Sequence, residues 1–108
     1  MTDLPRPVTD ALDATNTADL PRFLAAFAED GVVDDGGRAF RGHAGISRWS
    51  RTESIGVRQT FAIGSTSVDG DRITVRVTVG GGGYTGPAVF TFVLSPDGTT
   101  VQSLTITD

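Results

Sequence analysis

Two adjacent carboxylates, Asp34 and Asp35, follow the short apolar run Val32-Val33 and precede a glycine pair, Gly36-Gly37. Neighbouring side chains in a strand point to opposite faces, so one acid faces the interior and the other faces solvent. The spacing puts Val33 and Asp35 on the inward side. A carboxyl group in an apolar hollow can exchange a proton with an enolisable substrate, which makes Asp35 the candidate general base. The competing role is structural: a carboxylate beside two glycines also suits a turn, accepting amide hydrogen bonds from Gly36 and Gly37.

His43 is the single histidine, so a multi-histidine metal site cannot form, and no metal or cofactor is expected. At a helix start its ring could hydrogen-bond a ligand or simply sit in the exposed first turn. Phe27, Trp49 and Phe61 are candidate walls for a flat apolar ligand, as are Tyr84, Phe90 and Phe92. The same rings could instead fill a solid core, the expectation for Phe90 and Phe92, while Trp49 and Tyr84 have polar ends that suit a wet rim. Gly81, Gly83 and Gly86 match Gly-x-Gly-x-x-Gly, yet the stretch joins two expected strands and runs into Pro87 instead of opening a helix. A bulge or flap at a cavity mouth fits Gly80 to Gly83 better than a dinucleotide site.

The 108 residues suit one domain. With no cysteine there is no thiol nucleophile, thiolate ligand or disulfide, and all nine basic residues are Arg, so Schiff-base and Walker-lysine chemistry have no residue to use. A net charge of -4 without a basic stripe argues against nucleic acid as a partner. No stretch has the make-up of a secretory signal or a membrane span, so no membrane partner is expected and the cytoplasm is the default location.

The elements that must position these residues can be read from periodicity. Val8, Ala11, Leu12 and Thr15 recur at helical spacing after Pro5 and Pro7, predicting a helix over about 7 to 16. Asp19 caps a second helix with the inward stripe Leu20, Phe23, Leu24 and Phe27, and Pro21 falls in its first turn. A short hairpin follows through Gly36-Gly37 to Arg38 to Arg41. Gly42 and His43 open a third helix carrying Ile46 and Trp49, closed by Gly56 in a left-handed cap.

From Val57 the period becomes alternating, with Val57, Phe61 and Ile63 on one side. Ile73, Val75, Val77 and Val79 share one face of the next strand, and Ala88, Phe90, Phe92 and Leu94 one face of another, with turns at Asp69-Gly70-Asp71 and Asp97-Gly98. A final strand spans about Thr99 to Thr107. The expected architecture is α+β: three helices and a short hairpin packed on a curved four-stranded antiparallel meander. Val89 and Val93 on the other face predict partial cover there, by a second copy of the chain in a homodimer with Arg58 and Arg76 near the rim.

Three strings resemble the NTF2-like superfamily, in its SnoaL-like and ketosteroid-isomerase-like branch. They are Asn16-Thr17-Ala18-Asp19-Leu20, the run Phe27-Ala28-Glu29-Asp30-Gly31-Val32-Val33-Asp34-Asp35, and Phe40-Arg41-Gly42-His43-Ala44-Gly45-Ile46. The resemblance covers nearly the whole chain as one domain and implies a bent sheet wrapped around helices to leave a cone-shaped cavity, with dimers through the sheet. It places the isomerases' general base on Asp35, but their two oxyanion donors fall on Ala11 and Ala88, which cannot donate. Tyr84 is the available substitute. Two functions are therefore expected as alternatives: proton-transfer chemistry of isomerase type on a small apolar or polycyclic molecule, or a noncatalytic ligand-binding or dimerisation module.

Overall fold

A computed structural model describes residues 4–107. Helix α1 (Arg6–Asn16) begins at a proline-marked end and buries Val8, Ala11, Leu12 and Thr15, the stripe its sequence spacing requires. Helix α2 (Leu20–Ala25) is capped by Asp19, whose Oδ1 accepts the Arg22 N–H at 3.1 Å. Phe27 does not extend the stripe of α2. It is the first residue of strand β1 (Phe27–Asp35), because Ala26 ends the helix and its carbonyl pairs with the Val101 N–H at 2.8 Å.

β1 turns through Gly36 and Gly37, at φ 61° and 92°, into β2 (Arg38–Arg41), and α3 follows at Gly42–Glu53. A 3-10 turn at Ile55–Val57 leads into β3 (Thr60–Asp69), β4 (Arg72–Gly80), β5 (Gly86–Leu94) and β6 (Val101–Thr107). The expected four-stranded meander is part of a larger sheet, of six strands ordered β2-β1-β6-β5-β4-β3. The hairpin is not a separate layer. β6 accepts β1 as a parallel neighbour, with Val33 opposite Leu104 and Asp35 opposite Ile106, so β1 is paired on both edges over Val32–Asp35.

Register settles which face each residue takes. Asp35 pairs with Ile106, Ile106 with Phe90 and Phe90 with Val75, a row on the face that the helices cover. Val33, Leu104, Phe92 and Ile73 form the neighbouring row and are fully or nearly fully buried. Asp34 faces the other way, and it is this residue, not Asp35, whose Oδ1 accepts a turn amide, from Gly37 at 2.9 Å.

Two other expectations give way. Gly56 does not adopt a left-handed cap; Arg58 does, at φ 57°, and Val57 belongs to the 3-10 turn instead of a strand. Phe61 is buried but Ile63 is half exposed, because β3 is the outermost strand and its register shifts between Ile63 and Ser65. Only the start of β3 is tied down by a helix: Asn16 of α1 accepts the Phe61 N–H at 2.7 Å and donates to the Phe61 carbonyl at 3.2 Å. Among the described residues no helix is long and apolar enough to cross a membrane.

Candidate functional site

A cleft of about 380 Å³ opens between the C-terminal half of α3, the end of β1, the inner face of β5 and β6, and the glycine loop between β4 and β5. Asp35 enters it because strand alternation turns it inward at the last position before the Gly36-Gly37 turn. Trp49 enters from α3, one turn before Glu53. The Trp49 indole N–H donates to Asp35 Oδ2 at 3.0 Å, and the Arg38 guanidinium donates to the same oxygen at 3.1 Å. Arg38 also donates to Glu53 Oε1 at 2.6 Å and stacks over Phe40 at 5.6 Å, so the hairpin and the end of α3 are joined by an acid–base–acid chain. The hydrogen bond to Glu53, followed by that carboxylate's Coulomb attraction, holds the Arg38 guanidinium above its ordinary pKa.

This environment differs from the oily hollow expected around Asp35. Its side chain is 27% exposed and bonded through Oδ2 to two donors, while Oδ1 has no protein partner among the described residues. Trp49 does not sit on a wet rim either: it is 3% exposed, and its polar end is satisfied by Asp35. Tyr84 does reach the rim, 47% exposed, but its hydroxyl donates to the Pro87 carbonyl at 2.7 Å. That proton is committed to the loop and is not aimed at a ligand. Ala88 lines the cleft and Ala11 is buried in α1, so neither position provides a donor.

Asp35, Trp49, Tyr84 and Phe90 are therefore brought together, and the other four aromatic or imidazole candidates are not. Phe27 packs on Phe23 at 5.0 Å between ring centroids, in the core beneath α2. Phe92 is fully buried, and Phe61 lies edge-on to Phe90 at 4.8 Å, behind the cleft wall. His43 Nε2 is 2.9 Å from the Phe27 carbonyl oxygen, which can only accept, so Nε2–H donates there and pins the start of α3 to β1.

The glycine stretch closes the cleft on one side, and its composition follows from close backbone approach. A Cβ on Gly81 would meet the Arg58 carbonyl oxygen at 2.1 Å, and one on Gly82 the Val57 oxygen at 2.3 Å. The Gly82 N–H donates to that Val57 oxygen at 3.0 Å, latching the loop. Among the described residues no group of three His, Asp or Glu side chains is gathered to hold a metal ion.

Sequence reasoning missed Arg38, Glu53 and Gln59, which also line the cleft. Glu53 carried a usable signal, four residues after Trp49 on the same helix face. Arg38 and Gln59 carried none, since each comes from a segment whose position relative to Asp35 depends on long-range pairing.

The chain matches the model of the SnoaL-like domain family over residues 8–103. No match was found among curated proteins. Among solved structures, it is similar to a candidate polyketide cyclase from Sinorhizobium meliloti, with 27% identity and a TM-score of 0.83 over 97% of this chain and 96% of that one. A Catenulispora acidiphila protein with a ketosteroid isomerase-like fold, in complex with trimethylamine, superposes with a TM-score of 0.81 at 19% identity, over 98% and 87% of the two chains. A Mycobacterium tuberculosis protein in complex with estradiol-17beta-hemisuccinate gives 0.77 at 16% identity, over 93% and 88%. Element order, the six-stranded sheet, the cleft and the family match all agree: the chain belongs to the SnoaL-like family and has the NTF2-like, ketosteroid isomerase-like α+β fold.

Proposed function

We propose that the cleft binds a small apolar or polycyclic molecule and that Asp35 acts there as the general base of an isomerase-type proton transfer. The observation that carries this reading is the asymmetry of the carboxylate. Oδ2 is held by Trp49 and Arg38, which sets its orientation, and Oδ1 is left without a protein partner. A base so placed takes a proton from a carbon next to a ligand carbonyl through Oδ1 and returns it elsewhere on the conjugated system, with no net change in the enzyme. Apolar walls from Val79, Ala88 and Phe90 suit the body of such a ligand. The steroid ester held by the Mycobacterium tuberculosis relative supports the size class.

A noncatalytic binding module is the second reading, favoured by alanine at positions 11 and 88 and by the commitment of the Tyr84 proton to Pro87. One missing oxyanion donor typically removes about 2.7–4 kcal/mol of transition-state stabilisation. The Asp35→Asn variant separates the two readings on a panel of cyclic enones. Proton-transfer turnover by the native protein should drop by about 100-fold or more in the variant. Unchanged turnover eliminates Asp35 as the base. Ligand-induced stabilisation with no turnover by the native protein selects the binding module, and a broad apolar library that leaves the melting temperature unmoved eliminates the pocket.

We also propose that the domain is a homodimer through the open face of the sheet. Val89 and Val93 lie there, half-buried, each opposite an exposed arginine of β4, Arg76 and Arg72, with the Thr91–Thr74 pair between them. Light scattering at micromolar protein should give twice the chain mass. A monomeric mass overturns this arrangement.

A further inference from the structure

Gln59 is nine-tenths buried as a residue, and its side-chain amide makes no hydrogen bond among the described residues but keeps contact with solvent, unlike Ser50 Oγ and Ser54 Oγ, which are fully buried and unpaired. Its backbone explains why it is held there regardless. The Gln59 N–H donates to the Ser54 carbonyl at 3.1 Å, Arg58 before it takes the left-handed conformation, and Asn16 clamps Phe61 two residues later. The side chain is thus directed by its neighbours and not by a bond of its own. Its Nε2 lies 3.8 Å from the point a Gly83 Cβ would occupy, and Gln59 and Gly83 both line the cleft.

An amide that makes no hydrogen bond within the fold and opens on the cleft is paired by water, at little gain to stability. A ligand can displace that water and pair with the amide directly. The other buried or anchored donors at the cleft are already used. The Trp49 indole N–H goes to Asp35, the Thr52 hydroxyl to the Arg48 carbonyl at 3.0 Å, and the Tyr84 hydroxyl to Pro87. Arg38 is bound to Asp35 and Glu53. Acceptor capacity, by contrast, remains at Asp35 Oδ1. The cleft therefore offers a ligand an apolar body site, an acceptor at Asp35 and, from a largely buried side chain, the unbonded donor Gln59 Nε2.

We propose that Gln59 is the specificity-determining contact of the cleft, donating from Nε2 to the carbonyl oxygen of an otherwise apolar ligand. This rests on the reading that the cleft binds a small molecule, and it adds which functional group that molecule carries and where it docks. Hydrogen bonding to a carbonyl in a site built for it discriminates against the analogue that lacks the oxygen, because the amide then loses its water and gains no partner.

Two measurements test this with the full chain. In the first, α-tetralone and tetralin, which share a ring system and differ by one carbonyl oxygen, are titrated into the native protein and the Gln59→Leu variant by calorimetry or NMR. The native protein should bind the ketone about tenfold more tightly than the hydrocarbon. Gln59→Leu should erase that preference and leave tetralin binding intact. In the second, the ligand-free Gln59→Leu variant should melt within about 4 °C of the native protein, since the amide it removes makes no hydrogen bond in the fold. A fall in melting temperature beyond that would show the glutamine to be a structural residue and would overturn the proposal. So would a ketone preference that survives in Gln59→Leu, or equal binding of both probes by the native protein. If neither probe binds, the cleft is not an apolar-ligand site and both readings fall together.

Discussion

Gly56→Ala should severely destabilise the fold. A Cβ at this position would stand 1.4 Å from the Arg51 carbonyl oxygen, 2.3 Å from its carbon and 2.9 Å from its Cα. All three are backbone atoms of the last turn of α3, so no rotamer change can relieve the overlap. The glycine is needed here for space and not for a left-handed dihedral, which sets it apart from Gly36 or Gly70, where positive φ is the constraint and open space surrounds the residue. Displacing the Ser54–Gln59 segment would also move the buried Ser54 and the cleft-lining Val57 and Gln59. The expected loss is on the order of 4 kcal/mol or more, a large part of the roughly 5–15 kcal/mol typical of a domain. Urea unfolding followed by circular dichroism measures it. A midpoint indistinguishable from native would mean that the 3-10 turn does not pack on the end of α3.

Phe90→Ala should be nearly as costly, and informative about the site. The ring is 3% exposed, meets Phe61 edge-on at 4.8 Å and Phe92 at 6.3 Å, and is also part of the cleft wall. Truncating a buried phenylalanine removes both transfer energy and packing, about 3–5 kcal/mol. Phe92→Ala should cost a similar amount, because Phe92 is fully buried. Only the Phe90 variant should change ligand selection, since only that ring lines the cleft, and the vacated volume should admit larger polycyclic ligands. Paired denaturation and ligand-titration measurements on the two variants read both effects. Identical ligand selectivity in the two variants would remove Phe90 from the site, and a loss below about 1 kcal/mol for Phe90→Ala would mean that its ring is poorly packed.

The domain shows where local patterns suffice and where they do not. α1, the Asp19 cap, the Gly36-Gly37 turn and the alternation of β4 and β5 depend on residues within one or two turns of chain, and each was legible as spacing and residue type. Phe27 was misread because a position four residues after Phe23 looks helical, and what ends α2 at Ala26 includes a hydrogen bond to Val101, 75 residues away in number. Ile63 was misread because alternation says which face a residue takes and not whether anything covers that face. The parallel β1–β6 pairing turned an expected four-stranded meander into a six-stranded sheet by joining residues near the two ends of the chain.

From residue order alone came the α+β architecture and the inward orientation of Asp35, because strand parity is a local property. Only the folded chain decided what Asp35 touches. The Arg38–Glu53 link, the buried indole donor and the unpartnered Gln59 each bring together segments that no periodicity relates. Whether a polar group is satisfied depends on its neighbours in space, and a sequence lists neighbours only along the backbone.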